Sequence, residues 1–161
     1  YAGEDNKLGY ANVRLIKDAN VVGVDTLDLL SADDKVASEI HLPVGRPVLF
    51  RFRSQDVIHS AYMPHFRAQM NCVPGMTTQF QFTPSVTTAD IRQDANVQAK
   101  VSRINALRTE KGLESYAYDY LLLCNKVCGS GHFNMQMKIV VESEEEYAKW
   151  LAEQKTIAET L

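Results

Sequence analysis

The feature of this sequence that most constrains the fold is a short segment, residues 124–135, which we call the donor loop. It reads Cys-Asn-Lys-Val-Cys-Gly-Ser-Gly-His-Phe-Asn-Met. Its possible metal ligands are Cys124, Cys128, His132 and Met135. Thiolate, imidazole and thioether favour copper or zinc over calcium or magnesium, and zinc sites rarely use methionine. Gly129 and Gly131 give the backbone freedom to wrap such a centre.

Segments with strand character flank the donor loop. Residues 120–124 are a short apolar run, and residues 135–141 alternate between two faces, as a half-buried strand does. The segments 48–53 and 78–82 show the same alternation earlier in the chain. The pattern therefore predicts a mainly β protein.

Two helices interrupt this β pattern. The first, at about 87–111, has an apolar stripe and ends at Gly112. The stripe consists of Val97, Val101, Ile104 and Leu107. Ser143 and Glu146 have capping-box spacing at the start of the second helix. Its buried face would consist of Tyr147, Trp150, Leu151 and Ile157.

We expect one domain over 1–161, with a helical insertion at about 85–118 and a C-terminal helix at about 143–158. Within this domain, the first ~35 residues are expected to form strand fragments and loops.

Charge and cysteine content exclude several classes of protein. The chain has 17 basic and 20 acidic side chains, and its net charge of −3 lacks the basic excess of a nucleic-acid-binding protein. Charged residues make up 23% and hydrophobic residues 45%, which is typical of folded rather than disordered chains. Three cysteines argue against a closed disulfide framework. No apolar run approaches the ~20 residues of a membrane-spanning helix.

The donors can be combined in more than one way. Cys128, His132 and Met135, with an earlier histidine, are the ligand set of a mononuclear blue-copper site. His59 is available as that histidine. Cys124 does not fit this trigonal site, whereas two cysteines bridging two coppers, each capped by a histidine, would use every residue. The weak axial donors would then be the Met135 sulfur and a backbone carbonyl of the Cys-x-x-x-Cys loop. A zinc site that leaves Met135 idle, or a disulfide, stays open.

The pattern Cys-x-x-x-Cys-Gly-x-x-His-x-x-Met resembles the dinuclear copper (CuA) motif of cytochrome c oxidase subunit II. Supporting segments follow the same order: His-Leu-Pro-Val-Gly at 41–45, Asp-Val-Ile-His-Ser at 56–60, Val-Pro-Gly at 73–75 and Glu-Tyr-Ala-Lys-Trp-Leu at 146–151. The resemblance runs from about 38 to 152, excluding 85–118. It implies a cupredoxin-like Greek-key β-sandwich or barrel.

The resemblance also implies a role for each ligand. The implied ligands are His59, Cys124, Lys126, Cys128, His132 and Met135. The two cysteines would bridge both coppers. The first histidine and the methionine would complete one copper, and the second histidine with the main-chain carbonyl of Lys126 the other. Cys72 falls where the family commonly has a small residue, and we interpret it as a buried, inert thiol.

As a member of this family, the chain would be an electron carrier within an oxidoreductase. It would accept electrons from cytochrome c, or from a c-type cytochrome domain, and pass them to haem a in subunit I of a haem-copper oxygen reductase. The resemblance implies the periplasmic or intermembrane-space face of the membrane, with the full-length subunit anchored. Asp56 and the acidic stretch at 4–5 are candidates to steer a basic cytochrome. Tyr62 is a candidate aromatic contact near His59.

Three other functions stay open at this point. The chain would fit the CuA domain of a nitrous oxide reductase, which uses the same carrier. A copper-delivery or thiol-redox protein would use Cys124 and Cys128 and give His59 no role. A purely structural β module would join its cysteines in a disulfide.

Overall fold

The computed structural model describes residues 1–3, 6–17 and 19–160. Two compact units can be distinguished. One consists of Glu39–Tyr147, and the other joins the segment Tyr1–Ser38 to the residues from Ala148 onward. The single domain expected over 1–161 stays a prediction.

The larger unit is built on two β-sheets, which confirms the mainly β prediction. Its strands are β1 (Ile40–Pro43), β2 (Val48–Phe52), β3 (His59–Met63), β4 (Ala68–Cys72), β5 (Thr78–Phe82), β6 (Tyr120–Cys124) and β7 (Gln136–Glu142). Five strands form one sheet in the order β1-β7-β6-β3-β4, and β2 pairs with β5 in the other. β1 and β7 are parallel, and every other pair is antiparallel.

The core of the larger unit lies on one face of these strands. Leu42, Met63 and Ile139 are almost completely buried there. Aromatic side chains of the two-stranded sheet add to it, with the rings of Phe50 and Phe82 stacked at 5.5 Å. Because side chains alternate across a strand, this buried face fixes the register of β3, β6 and β7. That register determines which residues reach the donor loop.

The insertion contains two helices rather than the one predicted at 87–111. They are α1 (Thr88–Ile91) and α2 (Ala95–Glu110). The break occurs because the Asp94 side chain accepts hydrogen bonds from the backbone of Asn96 and Val97, which caps a new helix. Gly112 has a φ of +64° and ends α2 as predicted. Leu107, expected in the apolar stripe, is 59% exposed.

The predicted C-terminal helix at 143–158 is also divided, into α3 (Glu144–Glu153) and α4 (Ile157–Thr160). The capping box at the start of α3 is confirmed: the Ser143 N–H donates to Glu146 Oε2 at 3.0 Å, and the Glu146 N–H donates to Ser143 Oγ at 3.2 Å. The second break follows from a similar cap, in which the Thr156 N–H donates to Glu159 Oε2 at 2.8 Å. Tyr147 and Ile157 are buried as expected.

The smaller unit has little regular structure in its N-terminal part. Its elements there are the 3-10 helices Val13–Leu15 and Leu29–Ser31, and an isolated bridge joins Ala11 to Val24. The Lys35 ammonium donates to the Leu151 carbonyl, which ties this part to the C-terminal segment. Within the described ranges, none of the helices combines the length and apolar character needed to span a bilayer.

Candidate metal centre

Strand pairing brings the separated parts of the site to one end of the five-stranded sheet. β3 begins at His59 and β6 ends at Cys124, and these strands run antiparallel with Ala61 opposite Cys124. β7 begins at Gln136, directly after the donor loop. Since neighbouring antiparallel strands place the start of one beside the end of the next, His59 lies against the donor loop.

Three donor atoms surround the Cys124 sulfur. The Cys128 Sγ lies 3.7 Å from it, the His59 Nδ1 3.9 Å and the Lys126 main-chain oxygen 3.3 Å. Both cysteines are free, since a disulfide would require sulfurs about 2 Å apart. The coordinating atoms of the histidine and the two cysteines all lie within 4.8 Å of one another. This spacing suits a shared metal site.

The Cys128 sulfur has two further donors beside it. The Nδ1 of His132 lies 3.5 Å away and the Sδ of Met135 lies 3.2 Å away. Each thiol therefore has an imidazole beside it, and His132 interacts with Cys124 as well. The structure brings together all six residues singled out from the sequence, and their role as metal ligands stays a prediction.

The backbone of the donor loop depends on one glycine. Gly129 has a φ of +146°, a conformation that residues with a Cβ rarely adopt. It precedes a short 3-10 helix, His132–Asn134, whose hydrogen bonds include His132 N–H to the Gly129 carbonyl at 3.2 Å. The turn directs the histidine and Met135 back toward Cys128. Gly131, expected to give similar freedom, has a φ of −84° that any residue can adopt.

A carboxylate orients His59. The Nε2 of His59 lies 2.8 Å from Asp56 Oδ1, so the proton is assigned to Nε2 and the Nδ1 lone pair faces the Cys124 sulfur. This hydrogen bond raises the pKa of His59 and lowers that of Asp56. Backbone carbonyls commonly partner such a ring, and here a carboxylate takes that place. In the sequence, the aspartate three residues before His59 was the feature that could have indicated this contact.

The two thiols differ in acidity. Burial opposes ionisation of Cys124. Hydrogen bonds from the backbone of Ser60 and Lys126, together with both histidines of the site, outweigh it and lower the pKa of Cys124 to about 6. Burial and the neighbouring Cys124 raise the pKa of Cys128. At neutral pH the metal-free pair therefore holds one thiolate, which is the form that binds metals.

An apolar cavity of about 300 Å³ adjoins the site. Cys72, which pairs with His59 across β3 and β4, lines it together with Phe52, Leu122 and Met137. Burial raises the pKa of the Cys72 thiol. The thiol is therefore half-buried and protonated, and it lies nearer to the site than the sequence indicated.

The outer side of the donor loop is open to solvent. Val127 is 91% and Phe133 90% exposed, although both are large and apolar. Tyr62 alternates with His59 on β3 and so faces the opposite side of the sheet, which argues against the aromatic contact expected there. Asp56, the steering candidate, has a 65% exposed side chain. The acidic stretch at 4–5 lies outside the described residues.

Comparison with known proteins places this chain in a family. A sequence model described as cytochrome C oxidase subunit II, periplasmic domain, matches residues 6–93, which is more than half of the chain. The match includes His59 and ends before the donor loop. Among curated proteins, the alternative cytochrome c oxidase subunit 2 of Bradyrhizobium diazoefficiens is 36% identical over 158 residues, or 97% of this chain.

Other relatives are more distant. The cytochrome c oxidase subunit 2 of Thermostichus vulcanus is 27% identical over 76% of this chain. The chain spans 46% of the length of the Bradyrhizobium protein and 28% of the Thermostichus protein. A solved periplasmic domain of subunit II from Bradyrhizobium japonicum has a TM-score of 0.50 and 20% identity, covering 84% of this chain and 68% of that one. This likeness confirms the cupredoxin-like fold class.

Proposed function

This chain belongs to the family of periplasmic domains of cytochrome c oxidase subunit II, and we propose that it transfers electrons through a dinuclear copper centre. The domain is periplasmic, as the family is. The observation that carries the proposal is the pairing of two adjacent thiols with one imidazole each.

The donor set fits two copper ions better than one zinc ion. A zinc site would be complete with two cysteines and two histidines. The Met135 thioether, 3.2 Å from the Cys128 sulfur, and the Lys126 carbonyl, 3.3 Å from the Cys124 sulfur, would then have no role. Two copper ions would give each of these weak donors a metal to hold. Copper held there would supply one-electron chemistry.

The protein supports electron transfer by keeping its ligands still. Cys124 lies in a strand paired on both sides, and His59 is fixed by both its strand and Asp56. Ligands on rigid elements with oriented rings keep their geometry when the charge of a centre changes. This arrangement lowers the structural cost of gaining and losing an electron.

The exposed rim gives the site a place to meet redox partners. This rim consists of Val127 and Phe133, two large apolar residues of the donor loop that are exposed to solvent. Exposed apolar patches of this kind suit brief contacts between proteins, and small interfaces release quickly. We propose a c-type cytochrome as the electron donor and haem a of oxidase subunit I as the acceptor. Asp56 would add a negative charge that attracts a basic donor.

One observation favours a second function. A pair of neighbouring thiols, one with a pKa of about 6, is also the arrangement of a thiol-redox or copper-delivery protein. That function would make no use of His59 or Met135. A nitrous oxide reductase domain has no feature here in its favour, since the relatives above are oxidase subunits.

Copper titration of the reduced chain tests the proposal. We expect two coppers per chain in the unmodified protein and loss of the dinuclear centre in Cys124→Ser, because one bridging thiolate is removed. Cys72→Ser is the matched control, and its copper spectrum should stay nearly unchanged. Metal analysis and optical spectroscopy give the result. One copper with a blue-copper spectrum, or stable zinc alone, would contradict the proposal.

A further inference from the structure

The helical insertion and the outer face of β6 and β7 enclose a second cleft, which electron transfer does not use. Its volume is about 430 Å³. Its polar lining consists of Arg108, Ser115, Tyr116, Asp119, Gln136 and Lys138. Arg108 comes from α2, and the next three come from the segment that returns from α2 to the sheet. The insertion therefore builds one wall of this cleft.

That wall is held in place before any ligand arrives. The Tyr116 N–H donates to Asn105 Oδ1 at 2.7 Å, and Asn105 Nδ2 donates to the Tyr116 carbonyl at 3.0 Å. The Nε of Arg108 donates to the Glu114 carbonyl. Arg92 donates to the Tyr118 carbonyl at 2.8 Å. A site whose walls are already ordered loses less entropy on binding.

The charges around the cleft favour an anion. Asp119, the carboxylate in its lining, lies 2.7 Å from the Arg92 guanidinium and is neutralised by it. Lys138 Nζ is 4.0 Å from Asp119 and 3.7 Å from Glu39, so it is shared rather than fully paired. Arg108 has no carboxylate partner among the ion pairs of the described residues. Together these groups leave an excess of positive charge in the cleft.

We propose that this cleft binds a small oxyanion, a carboxylate or a phosphate, between Arg108 and Lys138. With its Nε tied to the backbone, the Arg108 guanidinium is oriented and has both terminal nitrogens available for a two-point contact. Ser115, Tyr116 and Gln136 add hydrogen-bonding groups to the lining. The volume lies within the range of small-molecule sites, roughly 300–1,000 Å³.

The cleft also touches the sheet next to the copper ligands. Gln136 pairs with Leu123 on β6, and these two residues adjoin Met135 and Cys124 in the sequence. Gln136 itself lines the cleft, so its backbone amide reports on binding there. The proposal does not depend on the copper centre, so either can fail without the other.

The experiment is an NMR titration of the full, metal-free, reduced chain with succinate and, separately, with inorganic phosphate. Sodium chloride at matched ionic strength controls for screening. We expect the Tyr116 and Gln136 amides to shift saturably. The two titrations together show which oxyanion is preferred.

Three variants make the titration specific. Arg108→Gln and Lys138→Gln should each weaken binding about tenfold or more, because each removes a charge-assisted hydrogen bond. Arg103→Gln, an exposed cation on α2 outside the lining, should bind normally. If Arg108→Gln disturbs the fold of the insertion, the affinity of Lys138→Gln still tests the proposal. Shifts that only follow ionic strength, or an equal loss in Arg103→Gln, would overturn the proposal.

Discussion

The two halves of the candidate metal centre are positioned by different means. His59 and Cys124 are strand residues, placed by the pairing of β3 with β6. Cys128, His132 and Met135 belong to a loop, placed by one glycine conformation and a single turn of 3-10 helix. The packing of the sheet against the buried core fixes the positions of His59 and Cys124. The loop half depends on local hydrogen bonds, which open more easily.

The two histidines show the same contrast. Asp56 holds the outer nitrogen of His59. The described part of the chain offers no hydrogen-bond partner to the outer nitrogen of His132. In this protein a carboxylate therefore fixes one imidazole, whereas the other, next to the exposed Phe133, has no such partner among the described residues. The predictions below test how far this difference extends.

Among substitutions that leave the candidate ligands in place, the largest effect should come from the loop half. Gly129→Ala places a Cβ at a φ of +146° and should cost about 1–3 kcal/mol in the loop conformation described above. We expect weaker copper binding in a competition assay with a chelator. Gly131→Ala is the matched control, because its φ of −84° accepts alanine. Equal losses in both variants would mean that the loop backbone is not the critical element.

The strand half should respond to loss of the orienting carboxylate. Asp56→Asn should lower copper affinity by roughly 10–100-fold, the usual cost of removing such a partner. Chelator competition measures it. Glu114→Gln, an exposed carboxylate on the insertion, is the control. An unchanged affinity in Asp56→Asn would show that the strand alone positions His59.

The same variant has a pH signature in the metal-free protein. Asp56 raises the pKa of His59, so the stability from this pair is present below the ordinary value of about 6.5 and is lost as the pH rises through the raised pKa. Asp56→Asn should therefore be destabilised in acid and not in alkaline solution. Denaturant unfolding in acid and in alkaline solution measures the loss of unfolding free energy in the variant. A larger loss in alkaline than in acid solution would contradict the prediction.

The two thiols should differ in reactivity in the metal-free chain. With a pKa of about 6, Cys124 is mostly thiolate at neutral pH, whereas the pKa values of Cys128 and Cys72 are raised. Iodoacetamide should therefore label Cys124 first, with a rate that rises through about pH 6. Peptide mass spectrometry identifies the labelled site. Faster labelling of Cys128 would reverse the assignment of the thiolate.

The smallest effect on the domain itself should come from the rim. Phe133→Ser removes a 90% exposed side chain, so the free energy of unfolding should change by no more than about 0.5 kcal/mol. The copper spectrum should stay the same, while the rate of electron uptake from a c-type cytochrome falls. Leu107→Ser, 59% exposed on the insertion, is the control. Equal rates of electron uptake in both variants would show that Phe133 does not contact the electron donor.

The sequence predicted the parts of the fold with a clear period. The strands at 78–82 and 120–124 and the capping box at Ser143 are found as predicted. β1, β3 and β4 were not predicted. β1 and β3 lack clean alternation, whereas β4 alternates between apolar and polar residues and could have been recognised. The helix breaks before α2 and α4 were missed because a capping side chain, Asp94 or Glu159, competes with an otherwise continuous helical pattern.

Residue types, spacing and the family resemblance predicted which residues gather at the site, and their role as metal ligands stays a prediction. The surroundings of these residues could not be predicted. Spacing could not show which glycine takes a positive φ, nor that Asp56 turns toward His59. The position of Cys72 against the site depends on the register of β3 and β4. The cleft at Arg108 depends on how the insertion returns to the sheet. Both features depend on contacts between residues that are far apart in the sequence, which spacing along the chain does not show.

The most direct test of the central claim is the electron paramagnetic resonance spectrum of the copper-loaded, partly oxidised chain. If the two thiols bridge two coppers, one unpaired electron should be shared and its hyperfine pattern should arise from two equivalent copper nuclei. A pattern from a single copper nucleus, at full copper loading, would contradict the account.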